Sequence, residues 1–136
     1  MSFSITKTPS LQGKTALVTG GNIGLGFETV KALAAKGAHV LLAARNEEKG
    51  KAAVAKIQKL VPNAQVELLR LDLASQRSIR AAASEVGNKF SQLDLLINNA
   101  GIMAMPEMKT EDGFESQFGV NHLGHWSLTG LLMDNL

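Results

Sequence analysis

The sequence predicts an α/β protein: a doubly wound parallel sheet with helices on both faces. Three observations carry this. Short apolar runs alternate with amphipathic stretches of about 10 to 15 residues, in the order β-α-β-α-β-α-β-loop-α. Crossovers of that length join parallel strands and are right-handed. The first strand also runs directly into a glycine-rich turn that opens a helix. The expected strand order is 3-2-1-4, with the turn and its equivalents at the C-terminal ends of the strands.

The elements follow one by one. Residues 14–19 (KTALVT) read as a buried strand, β-branched and followed by a Gly pair. Ile23, Phe27, Val30 and Ala34 recur at helical spacing, with Glu28, Lys31 and Lys36 off that stripe. Gly37 stops the helix as a left-handed C-terminal residue does. A second strand spans residues 39–43. Asn46 stands where an N-cap is wanted, with Glu47 and Glu48 in the first turn. The inner face of that second helix is expected at Ala53, Val54, Ile57 and Leu60, and Pro62 ends it. The third strand is placed at 65–71. Ser75 caps a third helix facing inward through Ile79, Ala83, Val86 and Phe90. Residues 93–97 make the fourth strand. Asp112 and Glu115 read as a capping box opening a last helix.

Composition sets bounds. The 136 residues suffice for one hydrophobic core, and 45% apolar against 19% charged residues is globular usage. Fourteen basic against 12 acidic residues leave a net charge of +2, too small to indicate a nucleic-acid partner. Cys is absent, which excludes disulfides, thiolate metal sites and a Cys nucleophile. No apolar run approaches the roughly 18 residues of a membrane span. Residues 1–12 are polar and lack the apolar centre of a signal peptide, so a cytoplasmic protein is expected. There is no Tyr.

The chemistry-bearing segment is Thr19-Gly20-Gly21-Asn22-Ile23-Gly24-Leu25-Gly26. Between a strand and a helix, Gly20 permits the tight turn, Gly24 lets backbone approach a pyrophosphate, and Gly26 allows close packing of the helix. The helix N-terminus offers N–H groups and partial positive charge to phosphates. An ordinary glycine-rich βα turn is the alternative, and the flanking strand and helix favour the nucleotide loop.

The GxxxGxG spacing, opened by Thr-Gly, resembles the short-chain dehydrogenase/reductase family and its Rossmann-type fold. Three further segments carry the resemblance: Leu71-Asp72-Leu73, Asn98-Asn99-Ala100-Gly101, and Val120-Asn121-His122-Leu123-Gly124-His125. The wording NNAGIM and VNHLGHW is closest to the retinol dehydrogenase and protochlorophyllide reductase-like members. The resemblance implies a single NAD(P)-binding domain over residues 1–136. It implies cofactor contacts from Gly20, Asn22, Ile23, Gly24, Gly26, Asp72, Leu73, Asn99, Ala100 and Gly101, with Asp72 near the adenine. It implies a catalytic role for Asn121, which in the family holds a water of the proton relay. It also implies hydride exchange between nicotinamide and a small-molecule alcohol or carbonyl, and homo-oligomers paired through the helix beginning near Asp112.

Cofactor choice is argued from charge. An NAD-specific site puts Asp or Glu at the end of the second strand to accept from the ribose 2′-OH. Here Ala44 stands there, followed by Arg45, which can pair bidentately with a 2′-phosphate. NADP(H) is therefore expected over NAD(H), the alternative being a solvated Arg at a strand end. His122 and His125 lack a third ligand at convincing spacing, so no metal is expected and both read as core or hydrogen-bonded residues. Met103, Met105 and Met108 read as a loop packing on the core, with a ligand-lining role the alternative.

The family's Tyr, Lys and Ser have no counterparts in this chain. The expectation is that a fifth strand and those residues lie beyond it, and that the chain as given binds cofactor without turning substrate over. The other reading is a fragment that binds a dinucleotide or a protein partner without catalysis.

Overall fold

Four parallel strands form the sheet, in the order β3-β2-β1-β4. They are β1 (Thr15–Thr19), β2 (His39–Ala44), β3 (Gln65–Arg70) and β4 (Leu95–Ile97). The molecule is seen in a computed structural model that describes residues 5–136, so the first residues of the polar N-terminal stretch lie outside the described residues. The order and the parallel pairing are those expected from the crossovers. In register, Thr15 pairs His39 and Thr19 pairs Ala43, while Ala16 and Val18 pair Leu95 and Ile97.

Each strand sends alternate side chains to opposite faces. Ala16, Val18, Val40 and Leu42 meet α1 (Gly24–Ala35) and α2 (Glu47–Leu60) through Phe27, Val30, Ala34, Ala53 and Ile57. Leu17, Leu41, Ala43 and Leu69 meet α3 (Gln76–Lys89) through Ile79, Ala83 and Val86, and Leu128 and Leu132 complete that layer. Each of the fully buried Leu, Ile and Val side chains contributes roughly 1.5–3 kcal/mol over its exposed state. Because every pairing is parallel, all the strands' C-terminal ends lie on one edge, and the two cores pack the sheet behind it.

The caps are as the sequence indicates for α2 and α3. The Asn46 side chain accepts from the Lys49 N–H, and Ser75 Oγ accepts from the Ser78 N–H. Gly37 has φ +91° where α1 ends. The first strand begins one residue late, at Thr15, because the Lys14 N–H is taken up in a turn onto the Leu11 carbonyl; the Lys14 ammonium meets Asp94 at 2.7 Å. Asp94 also accepts the Thr15 N–H, so it ties the starts of β1 and β4 together. Leu60, expected inward, is 55% exposed, since Ile57 is the last residue of α2 to reach the sheet. Phe90, at the C-cap of α3, is only half-buried.

The capping box is corrected. Asp112 accepts the Gln76 N–H at the start of α3 rather than capping its own helix. Glu115 is itself the N-cap of α4 (Ser116–Phe118), accepting from the Gln117 and Phe118 N–H groups. A π-helical turn, Gly119–Gly124, follows and runs into α5 (His125–Leu131). Among the described residues no helix is long and apolar enough to cross a membrane.

Candidate functional site

A cleft lies at the strands' C-terminal edge, lined by the segments that follow all four strands. The cleft is lined by Thr19 at the end of β1 with Gly20 and Asn22 after it, and by Ala44 at the end of β2 with Arg45 after it. Leu71, Asp72 and Leu73 after β3, then Ala100, Gly101 and Ile102 after β4, complete it. It opens beside a second recess formed by Ile23, Leu25, Gly26, Asn46, Lys49 and Asn99. The structure therefore gathers every expected cofactor residue except Gly24 along one continuous surface, and Gly24 lines the adjoining recess with Asn22, Ile23 and Lys49.

The turn after β1 is shaped by close approach. A Cβ on Gly26 would lie 2.3 Å from the Gly20 carbonyl oxygen and 2.5 Å from Asn99 Nδ2, so a side chain there cannot fit without movement. Gly26 packs against the turn and Asn99, nearer the strand end than the sheet face the sequence suggested. Gly24 has φ +56° with nothing within 4 Å of a hypothetical Cβ, so it faces open space. Ile23, the N-cap of α1, gives no side-chain cap, unlike Asn46 and Ser75. The first N–H groups of α1 thus stay available to an anion.

Thr19 and Asn99 fasten the first and fourth loops together. Thr19 is fully buried, and its Oγ1 accepts the N–H groups of Asn99 and Ala100, each at 2.9 Å. Asn99 Nδ2 donates back to the Thr19 carbonyl at 2.9 Å. Asp72 is held by its own loop: Oδ1 accepts the Ala74 N–H, and its N–H donates to Ser78 Oγ. Arg45 is exposed, borders both recesses, and has no carboxylate paired with it among the described residues.

Asn121 lies on the π turn, outside the cleft lining but next to it. Its Oδ1 accepts the Ile102 N–H and its Nδ2 donates to the Ile102 carbonyl, both at 2.8 Å. This two-point grip fixes the amide and ties the helix to the loop after β4. The two nearby histidines separate in role. His122 is exposed and stacks on the Phe118 ring, centroids 5.2 Å apart. His125 is buried, 2.8 Å from Thr19 Oγ1 and 3.1 Å from the Asn121 carbonyl. Burial pushes its pKa below the ordinary imidazole value, against a smaller raising effect of the Asn121 carbonyl. The Glu115 carboxyl is held below its usual range by the Phe118 and Gln117 N–H groups.

The methionine loop is corrected too. Met103, Met105 and Met108 are exposed rather than packed on the core, Met103 by 83%. Sequence reasoning also passed over Thr19, Lys49 and Ile102. Lys49 stands four residues after Arg45 in the first turn of α2, a spacing that could have shown two cations near one recess. Thr19 opens the glycine motif, yet its hydroxyl's partners lie some 80 residues away.

The family model of the short chain dehydrogenases matches residues 14–136. The chain is 51% identical over 131 residues to mouse retinol dehydrogenase 11, covering 96% of this chain and 42% of the relative. It is 46% identical over 135 residues to polyprenol dehydrogenase of Danio rerio, covering 99% of this chain and 42% of the relative. Among solved structures, it resembles an RhlG/NADP active-site complex from Pseudomonas aeruginosa. There the TM-score is 0.79 at 30% identity, over 93% of this chain and 49% of that one. The chain spans less than half the length of these curated relatives.

Proposed function

The chain belongs to the short-chain dehydrogenase family, and from that premise we propose that it supplies the cofactor-binding half of an NADP(H)-dependent oxidoreductase. One observation carries the cofactor: a glycine turn under the uncapped α1 N-terminus, beside an Arg45 that forms no ion pair with a carboxylate among the described residues. The pyrophosphate fits where Gly24 leaves open space, and Gly26 lets α1 close on the Gly20 turn and Asn99 beside it. Ala44 puts no negative charge against a 2′-phosphate, while Arg45 and Lys49 supply two positive ones. Asp72, Leu73, Ala100 and Gly101 wall the adenine and ribose side, and Asn22 and Ile23 present backbone to the phosphates. The NADP complex of the similar RhlG supports the same choice.

The nicotinamide, when bound, supplies or accepts the hydride. This chain's own part is to bind, to orient and to hold Asn121 beside the loop after β4, where it would fix a water for proton transfer. Two similar relatives are named for retinol and polyprenol, so the substrate is read as a lipophilic alcohol or its carbonyl counterpart. The exposed Met103, Met105 and Met108, which follow the cleft residues Gly101 and Ile102, suit such a ligand.

The test is differential titration. NADPH should bind more tightly than NADH, and Arg45→Ala should weaken NADPH by about 10- to 150-fold, the equivalent of about 1.5–3 kcal/mol for hydrogen bonds to charged groups. NADH affinity should barely change. Ala44→Asp should shift preference towards NADH through charge repulsion. Equal losses for both cofactors would reject Arg45 as the 2′-phosphate ligand.

A further inference from the structure

Resting on the oxidoreductase reading of Asn121, we propose that His125 is its positioning residue, held as the neutral Nδ1–H tautomer between the Thr19 hydroxyl and the Asn121 carbonyl. Hydrogen-bond capacity decides the tautomer. Thr19 Oγ1 already accepts two N–H groups, from Asn99 and Ala100, which fills both its lone pairs. Its own proton must go outward. His125 Nε2 lies at 2.8 Å, whereas the alternative acceptor, the Ile97 carbonyl, lies at 3.5 Å. Nε2 therefore accepts and carries no proton. Nδ1 must then bear the ring proton and donate to the Asn121 carbonyl at 3.1 Å. The opposite tautomer would aim a third donor at Thr19 and set a bare ring nitrogen against a carbonyl oxygen.

This arrangement closes a ring through the site. The backbone of Asn99 and Ala100 holds Thr19, Thr19 holds His125, His125 holds the Asn121 carbonyl, and the Asn121 amide holds Ile102. Residues 99–102 belong to the cleft's own wall, so the imidazole couples the wall to the helix at both ends. The π turn widens the bonding register by one residue at this point. The His125 ring gives the Asn121 carbonyl a side-chain donor within this turn. Thr129 Oγ1 in turn accepts from Asn98 Nδ2 and donates to the His125 carbonyl, which braces the same turn from its other side.

Two measurements test this. Nitrogen NMR of the chain with 15N-labelled histidine should show His125 protonated at Nδ1 and bare at Nε2 at pH 7, and the Asn121 side-chain amide should move when His125 is replaced. A bare Nδ1 with a protonated Nε2, or an unmoved Asn121 amide, overturns the proposal. The second measurement uses the protein that carries this chain, with NADPH and a lipophilic aldehyde. His125→Ala should lower kcat by about 10- to 100-fold, the scale of a misplaced catalytic group, with the NADPH dissociation constant within about twofold. His125→Asn, which can return a donor near the Nδ1 position, should recover part of kcat, and His125→Gln should recover less. Unchanged kcat, or kcat and cofactor affinity falling together, overturns it. If His125→Ala does not fold, the tautomer in the unsubstituted chain and the His125→Asn kinetics decide. Absence of turnover in the unsubstituted protein would instead reject the oxidoreductase reading, and the NMR result would still judge His125.

Discussion

Replacing Gly26 by Ala sets two known effects against each other, and the structure says which one wins. In an isolated helix the exchange would be favourable by up to about 1 kcal/mol, because Gly loses more backbone entropy than Ala. In the fold, the added Cβ meets the Gly20 carbonyl oxygen at 2.3 Å and Asn99 Nδ2 at 2.5 Å. Ordinary contact needs roughly 3.5 Å, so about 1 Å of displacement is required. The Gly20 carbonyl is backbone and cannot swing aside alone, since a Cβ at Gly20 would itself sit 3.0 Å from Ala100. Asn99 can retreat only by releasing the Thr19 carbonyl. Overpacking costs about 1–3 kcal/mol and the lost hydrogen bond about 0.5–1.5 kcal/mol. After a helix gain of about 1 kcal/mol the net destabilisation should be roughly 0.5–3.5 kcal/mol. Urea denaturation followed by circular dichroism should show a lower midpoint at unchanged m-value. NADPH affinity should fall at least about tenfold, because the displaced turn is the one proposed to hold the phosphates. Gly24→Ala is the informative comparison: it meets no atoms, and its cost is the left-handed backbone alone, roughly 1–2 kcal/mol. A Gly26→Ala chain as stable as the parent, with NADPH bound as tightly, would show that helix propensity prevails and that the close approach is soft.

Two pH effects follow from the buried and capping groups. The His125 pKa is lowered by burial, so between its folded and unfolded values the unfolded chain binds more protons. That contribution is fully present above about pH 6.5 and is lost as pH falls through the lower folded value, and His125→Gln should flatten it in denaturation midpoints from pH 7.5 to 5. Parallel profiles for the two proteins would refute the assignment. Glu115 is likewise lowered, by the Phe118 and Gln117 N–H groups, so its cap acts above about pH 4.5 and fades as pH falls through the lower folded value. Glu115→Ala should therefore melt lower than the parent at pH 7, with the gap closing towards pH 3, and a gap independent of pH would exclude the carboxylate as the cause.

What the sequence made legible shares one property: the physical cause is local. Strand order follows from crossover length and handedness, Asn46 and Ser75 cap the helices that begin beside them, and the glycine turn announces a backbone geometry that few other residues adopt. The absence of a carboxylate at Ala44 is read from one position. The misreadings concern side chains whose partners are distant. Asp112 and Glu115 have the residue types and spacing of a capping box, but Asp112 is drawn to the Gln76 N–H of α3, and only Glu115 serves its own helix. The π turn has no such local signal. Its two glycines are explained by close approach, since a Cβ on Gly119 would lie 2.5 Å from Thr110 and one on Gly124 2.5 Å from the Leu73 carbonyl. Methionine suits both a core and a surface, so the exposure of Met103 could not be read from its type. Thr19 is the extreme case: its hydroxyl joins residues 80 and 106 positions away, and nothing near it in the chain hints at either. The turn after β1 can thus be recognised from a glycine pattern because backbone conformation makes it. The alignment of Asn121 cannot, because it depends on one threonine hydroxyl with every bond committed, which forces His125 to choose its tautomer.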